Sequence, residues 1–407
     1  MASQNKITPE FIRRIPKTDL HLHLDGSLRL GTLIDLAKKE KLELPSYEEQ
    51  GLRDLVFKPR YASLAEYLRG FKYTCAVLRE AENIERVSYE LAEDNIAEGV
   101  RYIEIRLAPQ LLMHENLTAE DVVRAVSDGA RRARNRHNET DVVKKGKDLP
   151  FDFGVIVCGM RAFNSKMGSY YKNLLSVASR APKKEVFSIA SLEMAREAVA
   201  LRDEQGLPVV GFDLAGEEAG YPSAYHVQAY EYAHKNFLKK TVHAGEAYGP
   251  ESIFQAITEC HANRIGHGTF LFAKEMIQDA SIEDKAGYIN DLAEYIASRR
   301  INMEVCITSN LQTCPQITKP EDHPLSQMLK HYLSISICTD NRLHSNTTVC
   351  KELEQVAKHF PITHEQFRSV VIAGFKGSFY GGSYTEKRAY VRQAIDLYDA
   401  VAAEMLK

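Results

Sequence analysis

Residues 18–26 read TDLHLHLDG. In an extended strand alternate side chains share a face, so His21 and His23 point one way and Leu20, Leu22 and Leu24 the other. Two imidazoles on one strand face can bind a single cation. The plainer alternative is a pair of core histidines satisfied by hydrogen bonds, and two on one face are hard to satisfy without a cation or a carboxylate nearby.

Seven further runs of β-branched and apolar residues follow this one. The eight occupy residues 18–24, 100–109, 151–160, 209–216, 239–246, 264–269, 302–310 and 333–340, each succeeded by a longer amphipathic stretch. VGFDLAG, MEVCITSN and LSISICTD are apolar on both faces, as parallel strands covered on both sides must be. Strands alternating with helices fit either a closed barrel or an open doubly wound sheet. The open sheet would carry a Gly-rich phosphate turn after its first strand, and none is present. The pattern therefore predicts a TIM-like (β/α)8 barrel with a helical insertion after strand 1.

The 407 residues suit one enlarged barrel domain spanning 1–407, since no Pro- or Gly-rich linker interrupts mid-chain. Residues 27–99 are too many for a single crossover. Leu64, Tyr67, Leu68 and Phe71 recur there at helical spacing, read either as a helix packed on the barrel or as a lid over its C-terminal face.

Lys and Arg number 52 against 55 Asp and Glu, without a basic patch of the kind nucleic acid requires. Arg131 to Arg136, the densest basic stretch, reads as a solvated helix end beside 121–130. No signal-peptide core precedes Phe11 and no apolar run approaches a membrane span, so the expectation is a cytoplasmic protein with no membrane partner. Seven cysteines, among them Cys158, Cys306 and Cys338 in apparent strands, read as buried free thiols.

Three more segments carry polar groups at strand ends. Val242-His243-Ala244-Gly245-Glu246 ends the fifth run, with small residues that let the chain turn while both polar side chains face a cavity. Arg264-Ile265-Gly266-His267-Gly268 sets a histidine between glycines at the end of the sixth, either as a ligand contact or as a histidine tolerated in a turn. Ile337-Cys338-Thr339-Asp340-Asn341 brings a carboxylate to the end of the eighth, where an unpaired Asp would be costly to desolvate. In a barrel these ends share the C-terminal face, where active sites form. His21, His23, His243 and Asp340 offer nitrogen and oxygen ligands suited to one zinc ion, with a position left for water.

In order and spacing, HLHLDGS (21–27), DLAGEE (213–218), TVHAGEAYGPESI (241–253), RIGHGT (264–269), TSNLQT (308–313) and Thr339-Asp340-Asn341 resemble the adenosine deaminase family of the amidohydrolase superfamily, bacterial-type members above all. The resemblance runs from residue 18 to about 384. It implies one zinc held by His21, His23, His243 and Asp340, with Glu246 as the acid that protonates purine N1. His267 and Asp340 would orient the attacking oxygen and carry its proton. Substrate contacts are implied for His23, for Asp25 at the ribose, for the Gly216 backbone at N3 and for Asn341 at N7. Many members have a second Asp where Asn341 stands, and an amide N–H can still donate to N7.

The expected reaction is deamination of adenosine and 2′-deoxyadenosine to inosine, or deoxyinosine, and ammonia. Aminofutalosine, 5′-methylthioadenosine and adenine are the alternative substrates. Asp25, one methylene shorter than the Glu usual in adenine deaminases, leaves room for a sugar. Bland readings exist for the same residues, with Gly216 permitting a turn, Asp25 capping a helix starting near Ser27, and Asn341 bracing a loop.

Overall fold

The computed structural model describes residues 7–406, so the expected domain limits at 1 and 407 fall outside it. Eight parallel strands run in sequence order: β1 (Lys17–His23), β2 (Val100–Leu107), β3 (Asp152–Met160), β4 (Val209–Ala215), β5 (Lys239–Ala244), β6 (Arg264–His267), β7 (Asn302–Val305) and β8 (Ser334–Ile337). They form a nearly closed barrel flanked by helices, the (β/α)8 architecture the alternation predicts. The last seam, β8 to β1, is a single bridge between Leu22 and Asp340. Two backbone bonds make it, His23 N–H to Asp340 O and Asp340 N–H to His21 O, each 2.8 Å.

Seven of the eight strands stop short of their predicted ends, β3 alone reaching Met160, and left-handed residues mark the turns beyond or at three of them. Gly245, His267 and Asp340 are left-handed, with φ of +71°, +66° and +60°. Gly245 adopts this freely, whereas the other two are strained for residues carrying a Cβ. The run 302–310 is corrected most: β7 ends at Val305, and Ile307–Thr313 is a helix.

Helices cover the barrel through apolar faces. Ala119–Asn138 starts with a capping box between Thr118 and Asp121 and buries Val122, Val123, Val126 and Ala130. It continues well past the expected 121–130, so Arg131 to Arg136 lie within it. There Arg131, Arg132 and Arg136 pair with Asp128, Glu85 and Glu93. Cys158, Cys306 and Cys338 are buried.

Between β1 and β2 the helix Ala81–Ala97 is the crossover, and shorter helices precede it. The periodic stretch from Leu64 is broken into Leu64–Tyr67, Leu68–Gly70 and Phe71–Val77. Phe71 stacks on His344 at 4.4 Å between centroids, and Tyr61 packs edge-on against Tyr67. This segment forms one wall of a large cavity over the strand C-termini. Among the described residues no helix is long and apolar enough to cross a membrane.

Candidate active site

The cavity measures about 1310 Å³ and is lined at its deep end by His23, Asp25, Gly216, His243, Glu246, His267, Asp340 and Asn341. His21 lies directly beneath. The ligand atoms of His21, His23, His243 and Asp340 all fall within 4.8 Å of one another, and all four residues are buried. The strand-end residues from β1, β5, β6 and β8 therefore converge as the spacing predicts.

Hydrogen bonding tests whether this group suits a cation. His21 Nδ1 lies 2.9 Å from Glu304 Oε2, and His243 Nδ1 lies 3.0 Å from Asp213 Oδ2. Carboxylates only accept, so both rings carry their hydrogen on Nδ1. In the neutral rings the two Nε2 atoms are bare and face each other at 3.0 Å, with His23 Nε2 3.2 Å from His243 Nε2. Lone pairs turned on one another repel, and a divalent cation between them and Asp340 relieves that repulsion. The three histidines and the aspartate fit a metal site, with Glu304 and Asp213 orienting two of its imidazoles.

Below the cluster the barrel interior is charged. Arg106 bridges Asp213 and Glu304 at 2.8 and 2.9 Å. Arg264 joins Glu304 at 2.6 Å and also pairs with Glu104. These side chains are fully or almost fully buried, so each charge needs its neighbours. Sequence reading assigned no role to Glu104, Arg106, Arg264 or Glu304. A signal existed in β2, where Glu104 and Arg106 interrupt an apolar strand on one face.

Above the cluster, burial and then the Asp340 charge push Glu246 up to about 8, leaving its carboxyl protonated at neutral pH. His267 Nε2 lies 3.7 Å from Glu246 Oε1, and burial, with His21 next, holds His267 well below the usual imidazole range. Ser309 donates to Asp340 Oδ2 at 2.6 Å.

Glu218, another residue sequence reading passed over, explains the shape of the Glu246 turn. Its two oxygens accept the consecutive N–H groups of Gly245, Glu246, Ala247 and Tyr248 at 2.6–3.0 Å, together with the Ser252 hydroxyl.

Asp25 does not cap the following helix, which begins at Leu30 behind Arg29. Its Oδ1, like Asn341 Oδ1, is buried without a hydrogen-bond partner. Asn341 packs where only glycine is possible opposite, a Cβ on Gly26 falling 1.7 Å from Asn341 Oδ1. Gly216 has φ +100°, which presents its backbone to the cavity.

A barrel that gathers three imidazoles and an aspartate at its mouth, beside a protonated carboxyl, is built for metal-assisted hydrolysis in the manner of the amidohydrolases. Comparison with known proteins narrows this class. Residues 16–396 match the family described as adenosine deaminase, and the chain belongs to that family. It is a hydrolytic deaminase by that membership.

Adenosine deaminase 1 of Streptomyces coelicolor is 34% identical over 391 residues, 95% of this chain and 88% of its own. A probable adenosine deaminase of Dictyostelium discoideum is 32% identical over 381 residues, 93% of this chain but 42% of that longer protein. Among solved structures, the adenine deaminase of Arthrobacter aurescens shares the fold with a TM-score of 0.70 at 21% identity, covering 94% of this chain and 98% of that one.

Proposed function

We propose that this protein is a zinc hydrolase that converts adenosine and 2′-deoxyadenosine to inosine or deoxyinosine and ammonia. The carrying observation is geometric: the buried Glu246 carboxyl, whose proton affinity burial raises, lines the same cavity as a cluster of three histidines and one aspartate. The nitrogen and oxygen donors of His21, His23, His243 and Asp340 suit zinc, and one ion per chain is expected. Bound there, zinc would supply a water ionised near neutral pH.

The protein's own groups do the rest. Glu246 gives its proton to purine N1, which draws electrons from C6 and opens that carbon to attack. His267 and Asp340 orient the attacking oxygen. The Gly216 N–H is offered to N3, the Asn341 amide to N7, and Asp25 with His23 to the ribose, which gives the unpartnered Asp25 Oδ1 an occupant. The wall formed by residues 63–77 acts as a lid that keeps bulk water from the ring.

One observation favours a second reading of substrate size. A cavity of about 1310 Å³ exceeds the roughly 1,000 Å³ at the upper end of small-molecule pockets. Beside the site residues it is lined by Leu64, Leu68, Arg69, Phe71 and Phe163. An adenine nucleoside with a larger 5′ group, such as 5′-methylthioadenosine or aminofutalosine, is the alternative substrate.

A panel of adenine, adenosine, 2′-deoxyadenosine and these 5′-substituted nucleosides decides, read by loss of purine absorbance and release of ammonia. Adenosine turned over fastest is the expected result. Zinc-loaded protein that turns over no adenine nucleoside would sink the proposal.

A further inference from the structure

The short helix Leu325–Lys330 begins two residues after His323. First-turn N–H groups find no acceptor within their own helix, and that of Leu325 lies 3.2 Å from His323 Nδ1. A backbone amide can only donate, so this Nδ1 is bare. Burial pushes His323 down to about 3, leaving a neutral ring whose one hydrogen is on Nε2.

His323 Nε2 is 3.1 Å from Asn310 Oδ1, and an N–H there requires the oxygen of the amide, which settles how the amide faces. Asn310 Nδ2 is then the donor to His267 Nδ1 at 3.2 Å. All three side chains are buried, and water does not compete for these bonds. With Nδ1 accepting, the hydrogen of neutral His267 stands on Nε2, the nitrogen nearest Glu246.

We infer that Asn310 and His323 are positioning residues which, anchored on the Leu325 N–H, lock His267 in its Nε2–H tautomer, so that His267 meets the attacking oxygen as a hydrogen-bond donor and not as a base. The inference rests on the proposed role of His267 beside the reacting carbon. It leaves Asp340, already oriented by Ser309, as the group on that side able to accept a proton.

The test is nitrogen-15 spectroscopy of histidine-labelled, zinc-loaded protein, in which protonated and bare ring nitrogens give separate signals. The His267 resonances are assigned by their loss in His267→Gln. The expected spectrum shows Nε2 protonated and Nδ1 bare, and the opposite pattern overturns the inference whatever the kinetics.

Asn310→Asp is nearly isosteric but can only accept, so the hydrogen of His267 should move to Nδ1. Loss of the donor should lower kcat about a hundredfold with KM little changed. A moved tautomer with unaltered kcat also overturns the inference. If Asn310→Asp fails to fold, the wild-type spectrum decides alone. The spectrum needs no substrate, so absence of adenosine turnover would sink the functional proposal while the tautomer and its lock are still read independently.

Discussion

Glu246 sits where an ordinary glutamate would be charged, yet burial beside Asp340 keeps it protonated at neutral pH. Its side chain lends no ligand atom to the cluster of three histidines and one aspartate, and its proposed part is to give a proton. Glu246→Gln should therefore retain one zinc per chain and an unchanged thermal midpoint while losing activity by roughly three orders of magnitude. Metal analysis with steady-state kinetics checks this, and near-normal turnover would remove Glu246 from the reaction. The residues that meet at this point were legible because chemistry writes them locally: His-x-His on a strand, then His, Glu and Asp next to glycines or at strand ends. Asn310 and His323 were not legible, since a tautomer relay depends on ring contacts between segments that no spacing rule connects.

Among the elements, the turn after β5 owes its shape to a carboxylate from the segment after β4. Glu218→Gln replaces an acceptor with an amide N–H aimed at backbone donors. Urea unfolding should then show a loss of about 2–3 kcal/mol. Because the same turn carries Glu246, kcat should fall at least tenfold, and a variant equal to wild type in both measurements would make Glu218 incidental. The strands were readable from their apolar runs, but not their ends. At His267 a left-handed backbone cuts β6 short, a conformation that glycine advertises and histidine conceals. The helix Ile307–Thr313 was hidden because its first two residues, Ile307 and Thr308, are β-branched and prolong the strand-like run of β7.

For the whole molecule, metal and proton both set stability. Removing the cation leaves the His21 and His243 lone pairs opposed, so chelation should lower the melting temperature by several degrees and readdition of zinc should restore it. Calorimetry with and without chelator tests this, and identical midpoints would speak against the metal site.

Acid acts through buried histidines outside the ligand set. His226 and His323 are held neutral by burial, with values near 3, whereas the unfolded chain protonates them below about 6.5. The unfolded state thus binds more protons between those limits. The contribution of each of these histidines is full above pH 6.5 and falls as pH drops toward 3, by up to about 1.4 kcal/mol per pH unit. Between pH 7 and 4 the stability of chelated His226→Asn, measured by urea unfolding, should lose less with acid than that of chelated wild type, and equal losses would remove His226 from the acid response.

The seam between β8 and β1 adds a consequence for biosynthesis. The bridge across it pairs Leu22 with Asp340, and the bonds that make it also involve the backbones of His21 and His23. A nascent chain emerging from the ribosome has three of its four ligands long before the last arrives. Ring closure and completion of the ion's coordination sphere are then the same late event, so metal supply during synthesis bears on the yield of intact barrel as well as on the activity of the finished enzyme.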